Sequence, residues 1–332
     1  MTPRVSVVMA VLNGARFIDE AIQSIVDQTF KDCELVVVDD GSTDETPQRV
    51  EAFKSKLRIQ YVRHDRPLGI ARSMNDGVRH AKGELIGFLD HDDLWFPEFL
   101  ATQTAYLDSH PDVGMVHSDF QTIDLQGEII ENSVATSRGR KRPSGHVFPR
   151  LFMESFIVGN SVLIRRECFT RLGLFDETLR WGDYLMWMGI ARHYRVDYID
   201  KVLTKYRQHS TQSTRDMAAD PPSTPPAALK AIEKVLELYP EIHHELGARM
   251  IRRRMASLYF DRAYRWYSID ESANARTCVL QALRFWPTNP RYLAVLAATL
   301  LGPSQGRAAR RMWRRITGRR ADSVGEPRGI TG

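Results

Sequence analysis

Cysteine is scarce in this chain: three residues in 332, at positions 33, 168 and 278. An odd number of widely spaced thiols excludes a disulfide framework and a cysteine metal site. It fits a reducing compartment and leaves each thiol as a small buried apolar side chain. Long hydrophobic runs are also missing. Val5–Leu12 stops at Asn13-Gly14, and Tyr292–Leu301 offers about half of the roughly 20 residues that a spanning helix needs. The N-terminus has no basic region, extended apolar core or small-residue cleavage site of a secretory leader. An integral or secreted protein is therefore not expected, and a cytoplasmic one is.

What is present describes a soluble globular chain, with 43% hydrophobic and 26% charged residues. At roughly 100–200 residues per domain, its length suggests two domains, or one with an extension. The net charge of +5 hides an asymmetry: residues 1–220 carry a net −5 and residues 221–332 a net +10. Such a split suggests two parts with different partners.

Apolar runs alternate with helical patterns through the first third. Val5–Val11 and Glu34–Val38 are short, β-branched and nearly continuous, as strands covered on both faces should be, and Ile59–Val62 and Leu85–Leu89 read as a third and a fourth strand. Ile18, Ala21, Ile22, Ile25 and Val26 recur at helical spacing, and helices are expected around Ile70–Ala81 and Pro97–Asp108. A strand follows near Val113–His117, then a turn at Asp124–Gly127 and a second α/β portion to about Tyr206. The pattern predicts an α/β fold with a mostly parallel, twisted sheet flanked by helices, and a binding crevice beyond the carboxyl ends of the strands. Pro221, Pro222, Pro225 and Pro226 punctuate a linker over 216–228, after which the chain reads as an all-α extension over 229–303.

Two acidic clusters end strands. Val38-Asp39-Asp40-Gly41-Ser42-Thr43-Asp44 places paired carboxylates before a glycine turn, where they can accept from a base or ribose. Its alternative is an Asp turn in which Ser42 or Thr43 caps the next helix. Leu89-Asp90-His91-Asp92-Asp93 puts Asp90 and Asp92 on one side of an extended segment, a DxD arrangement whose hard oxygens suit Mg²⁺ or Mn²⁺. A solvated acidic turn is the alternative.

In order and spacing these pieces resemble the inverting family-2 glycosyltransferases of the GT-A fold. The resemblance runs from Val7–Gly14 through Gln28-Thr29-Phe30, Glu34–Asp44, Ala81–Asp93 and Trp95-Phe96-Pro97. It continues through Gly159-Asn160-Ser161, Gly173–Glu177, Gly182-Asp183 and Tyr206-Arg207-Gln208-His209, covering about residues 3–213 of a catalytic domain over 1–215. It implies sugar transfer from a nucleotide-diphosphate sugar, a UDP-sugar by default, to an acceptor hydroxyl. By this resemblance Ala10, Asn13 and Asp40 line the nucleoside pocket, and Asp92 and Asp90 hold the Mn²⁺ or Mg²⁺ that bridges the diphosphate. His209 contacts metal or diphosphate, Arg207 offsets phosphate charge, and Asp183 is the general base. Trp95 and Trp181 are candidates for an acceptor platform, with buried packing as the alternative. Two positions depart from the family pattern. Gly182-Asp183 stands where many relatives have Glu-Asp, and Ser73-Met74-Asn75 replaces Ala-Arg-Asn, leaving Arg72 as the nearest arginine to the nucleotide side.

The basic third has two features. Tyr259, Ala263, Trp266, Ala275, Val279, Ala282 and Pro287 resemble one tetratricopeptide-type helix pair, against the alternative of a helical cap. Over 304–332, a basic amphipathic tail holds Arg307, Arg310, Arg311, Arg314, Arg315, Arg319 and Arg320. Ala309, Met312, Trp313 and Ile316 form its apolar stripe, and disorder is expected after residue 320. Its 305–320 helix suits the anionic cytoplasmic face of a membrane, and no nucleic-acid motif accompanies it, so no nucleic acid is expected. The expected activity is metal-dependent sugar transfer onto a glycan or lipid-linked glycan in cell-surface polysaccharide or glycolipid synthesis. The rival readings are an inactive scaffold of the same fold acting through its helices, and a metal-dependent nucleotidyltransferase.

Overall fold

The computed structural model describes residues 2–133, 142–179, 182–209, 212 and 226–300. Among them nine strands form one sheet: β1 Val5–Val11, β2 Cys33–Asp39, β3 Ile59–Arg63, β4 Leu85–Phe88, β5 Leu94–Trp95, β6 Val113–Ile123, β7 Ile129–Glu131, β8 Val162–Arg165 and β9 Arg195–Arg207. The strand order is β3-β2-β1-β4-β8-β6-β9-β5, with β7 paired to the end of β6. Helices α1 Ile18–Val26, α2 Thr46–Ala52, α3 Ile70–His80 and α4 Phe99–Ser109 connect the early strands. Helices α5 Phe148–Met153, α6 Arg166–Leu172 and α7 Gly182–His193 follow.

The expected parallel sheet is found over β3, β2, β1 and β4. Beyond them the sheet is mixed, because β8 runs antiparallel to both β4 and β6 and β5 antiparallel to β9. Strand direction left no trace in the residues. Val162, Leu163 and Ile164 of β8 are buried as fully as β4, so both read as continuous apolar runs. The main core lies between β1, β2, β4 and their helices. Val5, Val7, Met9 and Val11 of β1 meet Ile18, Ala21, Ile22 and Ile25 of α1, with Phe99, Leu100 and Leu107 of α4 nearby. Each of the larger side chains contributes about 1.5–3 kcal/mol by leaving water.

The chain divides into two compact units, one built on residues 1–215 and 231–238, the other on 216–230 and 239–332. Helix α8 is Ala227–Leu238; α9 Ile242–Ser268, α10 Ser272–Phe285 and α11 Pro290–Leu300 follow. In the second unit, Ala256, Phe260 and Ala263 of α9 pack with Cys278, Val279 and Ala282 of α10 and with Tyr292 and Val295 of α11. The alanines allow close approach, and Phe260 stacks on Tyr292 with ring centroids 4.3 Å apart. Among the described residues no helix is long and apolar enough to cross a membrane. The basic 305–320 segment lies outside the described residues.

Candidate active site

The parallel strands β1, β2, β3 and β4 send their following loops to one end of the sheet. After β1, Asn13 takes a left-handed φ of 54°, which asparagine tolerates better than most residues and which ends the strand. Its N–H donates to Ser42 Oγ at 2.8 Å, and its side-chain oxygen accepts from the Thr43 N–H at 2.8 Å, joining the loops after β1 and β2. Ser42 and Thr43 are therefore not the caps of α2. The N-cap position is Glu45, which makes no side-chain cap bond, and Asp44 before it accepts the Thr46 N–H at 3.0 Å. Gly41 has φ +85°, and a Cβ there would come within 3.0–3.2 Å of Arg66 backbone and Pro67, so the loop after β3 passes directly over it. Ala10 lies on β1 opposite Val38.

Asp39 and Asp40 both turn their carboxylates toward protein. Asp39 accepts from the Ser42 N–H at 2.7 Å, from the Arg63 guanidinium at 3.2 Å and from the Tyr61 hydroxyl. Asp40 accepts from the Leu68 and Gly69 N–H groups, each at 2.8 Å, and lies 2.7 Å from His64 Nδ1. Burial pushes the Asp40 carboxyl up, but hydrogen bonds from His64, Leu68, Gly69 and Ser73 outweigh that and hold it below the usual carboxylate value. Asp40 thus anchors the segment that enters α3. Arg72, in the first turn of that helix, is exposed and pairs with Asp76 at 3.1 Å and Glu177 at 3.6 Å.

After β4, carboxylate oxygens of Asp90, Asp92 and Asp93 all lie within 4.8 Å of one another. Their situations differ. Asp93 is buried and fully engaged, accepting from the Asn160 amide and from the Arg207 N–H at 2.8 Å. Asp92 sits 2.8 Å from His209 Nε2. Among the described residues no basic side chain pairs with Asp90. Burial first, then the charges of Asp92 and Asp183, push its carboxyl up to about 7. Asp183 opens α7, where its carboxylate accepts from the Tyr184 N–H at 2.8 Å and burial raises its pKa. The charge of Asp183 is thus felt by Asp90, although about 90 residues separate them in sequence. Two half-buried carboxylates plus an imidazole, facing uncompensated negative charge, form a donor set that a hard divalent cation fits. Asp93, with a hydrogen bond accepted on each carboxylate oxygen, acts as a strut that ties the acidic loop to Asn160 and Arg207.

Two expectations change. Arg207 is 1% exposed and spends its guanidinium on the Asp92 carbonyl at 2.9 Å and Glu20 at 2.7 Å, over the Phe17 ring. It braces the acidic loop instead of facing phosphate. Trp95 is 3% exposed, donates its indole N–H to the Asn160 carbonyl at 2.7 Å and stacks on Phe99 with centroids 4.0 Å apart. With both faces covered it presents no platform to an acceptor. Trp181 lies outside the described residues. Sequence reasoning gave no role to Asn160, which links Trp95 to Asp93, and missed His64, which sits between Asp40 and Asp76.

Comparison with known proteins now decides the family. A model described as Glycosyl transferase family 2 matches residues 6–172, just over half of the chain. The chain belongs to glycosyl transferase family 2. An uncharacterized glycosyltransferase of Rickettsia typhi is 33% identical over 217 residues, which is 64% of this chain and 66% of that relative. The chain thus spans just under two thirds of the length of that family member. Among solved structures, the S. aureus TarS fragment 1-349 in complex with UDP-GlcNAc superposes with a TM-score of 0.63. It covers 96% of this chain and 93% of that one at 18% identity. The mannosyltransferase PcManGT of Pyrobaculum calidifontis, in complex with GDP-Man and Mn²⁺, gives a TM-score of 0.60 at 20% identity, covering 96% and 89%. At these identities the likeness concerns the fold, which is of the GT-A type.

Proposed function

We propose that the chain is an inverting glycosyltransferase that moves a sugar from a nucleotide-diphosphate sugar, a UDP-sugar in preference, to an acceptor hydroxyl. The observation that carries this reading is the buried carboxyl of Asp90, which has no basic partner among the described residues, lies with Asp92 in one cluster of carboxylate oxygens and is raised by the charges of Asp92 and Asp183. Membership of the family supports it, as do fold relatives solved with UDP-GlcNAc and with GDP-Man and Mn²⁺. Ala10, Asn13 and Arg72 border the nucleoside side, and Asp40 contributes by holding the Leu68–Gly69 backbone. Asp90 faces the diphosphate, and Asp92, Asp90 and His209 would hold Mn²⁺ or Mg²⁺. Such an ion would stabilise the negative charge of the departing nucleoside diphosphate as a Lewis acid.

Asp183 takes the proton of the acceptor hydroxyl. That oxygen bonds to the anomeric carbon on the face opposite the diphosphate, the carbon–oxygen bond to the diphosphate breaks, and configuration inverts. A carboxyl whose pKa is raised by burial is a stronger base near neutral pH than an exposed aspartate. We further propose a glycan or lipid-linked glycan acceptor at the cytoplasmic face of a membrane, reached through the arginine-rich 305–320 segment. The test is Asp183→Asn. General-base loss is expected to cut kcat by about 10²–10⁴-fold while donor binding stays within about twofold. Wild-type turnover in that variant contradicts the assignment.

A further inference from the structure

The loops after β2 and β3 contain one side chain that touches both ends of an ion network and has no part in the chemistry above. His64 follows β3, and its backbone N–H is tied to the Asp39 carbonyl at 2.8 Å. Its ring, 9% exposed, lies between two carboxylates: Nδ1 is 2.7 Å from Asp40 Oδ1, and Nε2 is 3.1 Å from Asp76 Oδ2. Asp76, on α3, is also held by Arg79 at 2.6 Å and Arg72 at 3.1 Å. Arg72 reaches Glu177 at 3.6 Å, and Glu177 accepts from the Asn75 amide at 2.9 Å. On its other side, Asp40 holds the N–H groups of Leu68 and Gly69.

Beside the exposed Arg72 and Arg79, the neighbourhood of this network also presents apolar side chains to solvent. Leu68 and Ile70 flank Gly69 and are 46% and 49% exposed, and Leu12, beside Asn13, is 42% exposed. Leu12 and Leu68 lie on loops already linked through Asn13 to Thr43 and Gly41 to Arg66, and Ile70 opens α3. The bonds that Asp40 accepts from the Leu68 and Gly69 N–H groups fix where Leu68 and Ile70 stand.

We propose that His64 is a positioning residue for the donor nucleotide. It acts through Asp40 on the Leu68–Ile70 edge that borders the base, and through Asp76 on Arg72. This rests on the donor-site reading above. Removing the ring leaves Asp40 and Asp76 without their common partner, so the edge and the arginine lose their fixed relation while the Asp90, Asp92 and His209 cluster is untouched.

The test uses the full chain and two titrations by calorimetry: UDP in the presence of Mn²⁺, and Mn²⁺ alone. GDP, dTDP or CDP replaces UDP if one of them is what the wild type binds. His64→Leu is expected to weaken nucleotide binding at least about tenfold and to leave Mn²⁺ affinity within about twofold. His64→Asn, which keeps a donor toward Asp40, recovers most of the loss. The His64→Leu, Asp76→Asn double variant loses less than the sum of the two single losses, since the two share a path. If His64→Leu does not fold, Asp76→Asn carries the test, with tenfold weaker nucleotide supporting the inference and unchanged affinity overturning it. A wild type that binds nucleotide alongside an indifferent His64→Leu overturns this inference alone. A wild type that binds none of the four nucleotides overturns the donor reading and this inference with it.

Discussion

Replacing Asp90 by asparagine should make the protein more stable and less able to bind metal. The Asp90 carboxyl is raised from 3.8 to about 7 in the folded chain, by burial and by the charges of Asp92 and Asp183. The folded state therefore holds a proton that the unfolded state releases at a lower pH. Stability contributed by this group is full below about pH 4, falls as pH rises toward 7, and is level above that. A shift of about three units, at about 1.4 kcal/mol each, sets the cost of ionising Asp90 near about 4 kcal/mol at pH 8. Asparagine keeps the shape without the charge. In EDTA, Asp90→Asn should exceed wild type by about 3–4 kcal/mol at pH 8, or roughly 10 °C in Tm for a unit of this size, and match it near pH 4. Thermal melts across pH 4–8 read the gap directly, and the same variant should lose the Mn²⁺-induced rise in Tm expected for wild type. A gap that is absent, or that widens toward low pH, refutes the picture of an uncompensated carboxylate cluster.

The two reassigned residues separate in the same way. Arg207→Leu removes a buried guanidinium with four acceptors and should cost about 2–4 kcal/mol, lowering Tm and Mn²⁺ affinity together. A phosphate contact alone would leave Tm unchanged. Trp95→Phe should cost about 1–2 kcal/mol through the lost bond to the Asn160 carbonyl while KM for the acceptor stays as in wild type. A raised acceptor KM at unchanged Tm would restore the platform reading.

Local order was legible because it is local. The spacing of Ile18, Ala21, Ile22 and Ile25 marks the buried face of α1, and the run Val5–Val11 marks β1, since period and composition decide both. The Asp90, Asp92 and Asp93 grouping was equally visible, because four consecutive residues hold it. Pairing was not: β6 and β9 run parallel along almost their whole lengths, yet nothing in Val113–Ile123 names Arg195–Arg207 as its neighbour. The struts escaped for the same reason. Asn160 and Asp93 meet across 67 residues, and His64 looks like any loop histidine until the ends of β2 and β3 bring it between Asp40 and Asp76. Arg207 and Trp95 misled because their residue types suit ligands as well as cores. Only burial shows which use was made of them.

The most direct measurement is product analysis of the wild-type protein incubated with a UDP-sugar, Mn²⁺ and a glycan acceptor. Release of UDP with a glycosidic product of inverted anomeric configuration is the expected result, and it should vanish in EDTA. Pyrophosphate in place of UDP would make the protein a nucleotidyltransferase, and retained configuration would contradict single displacement with Asp183 as base.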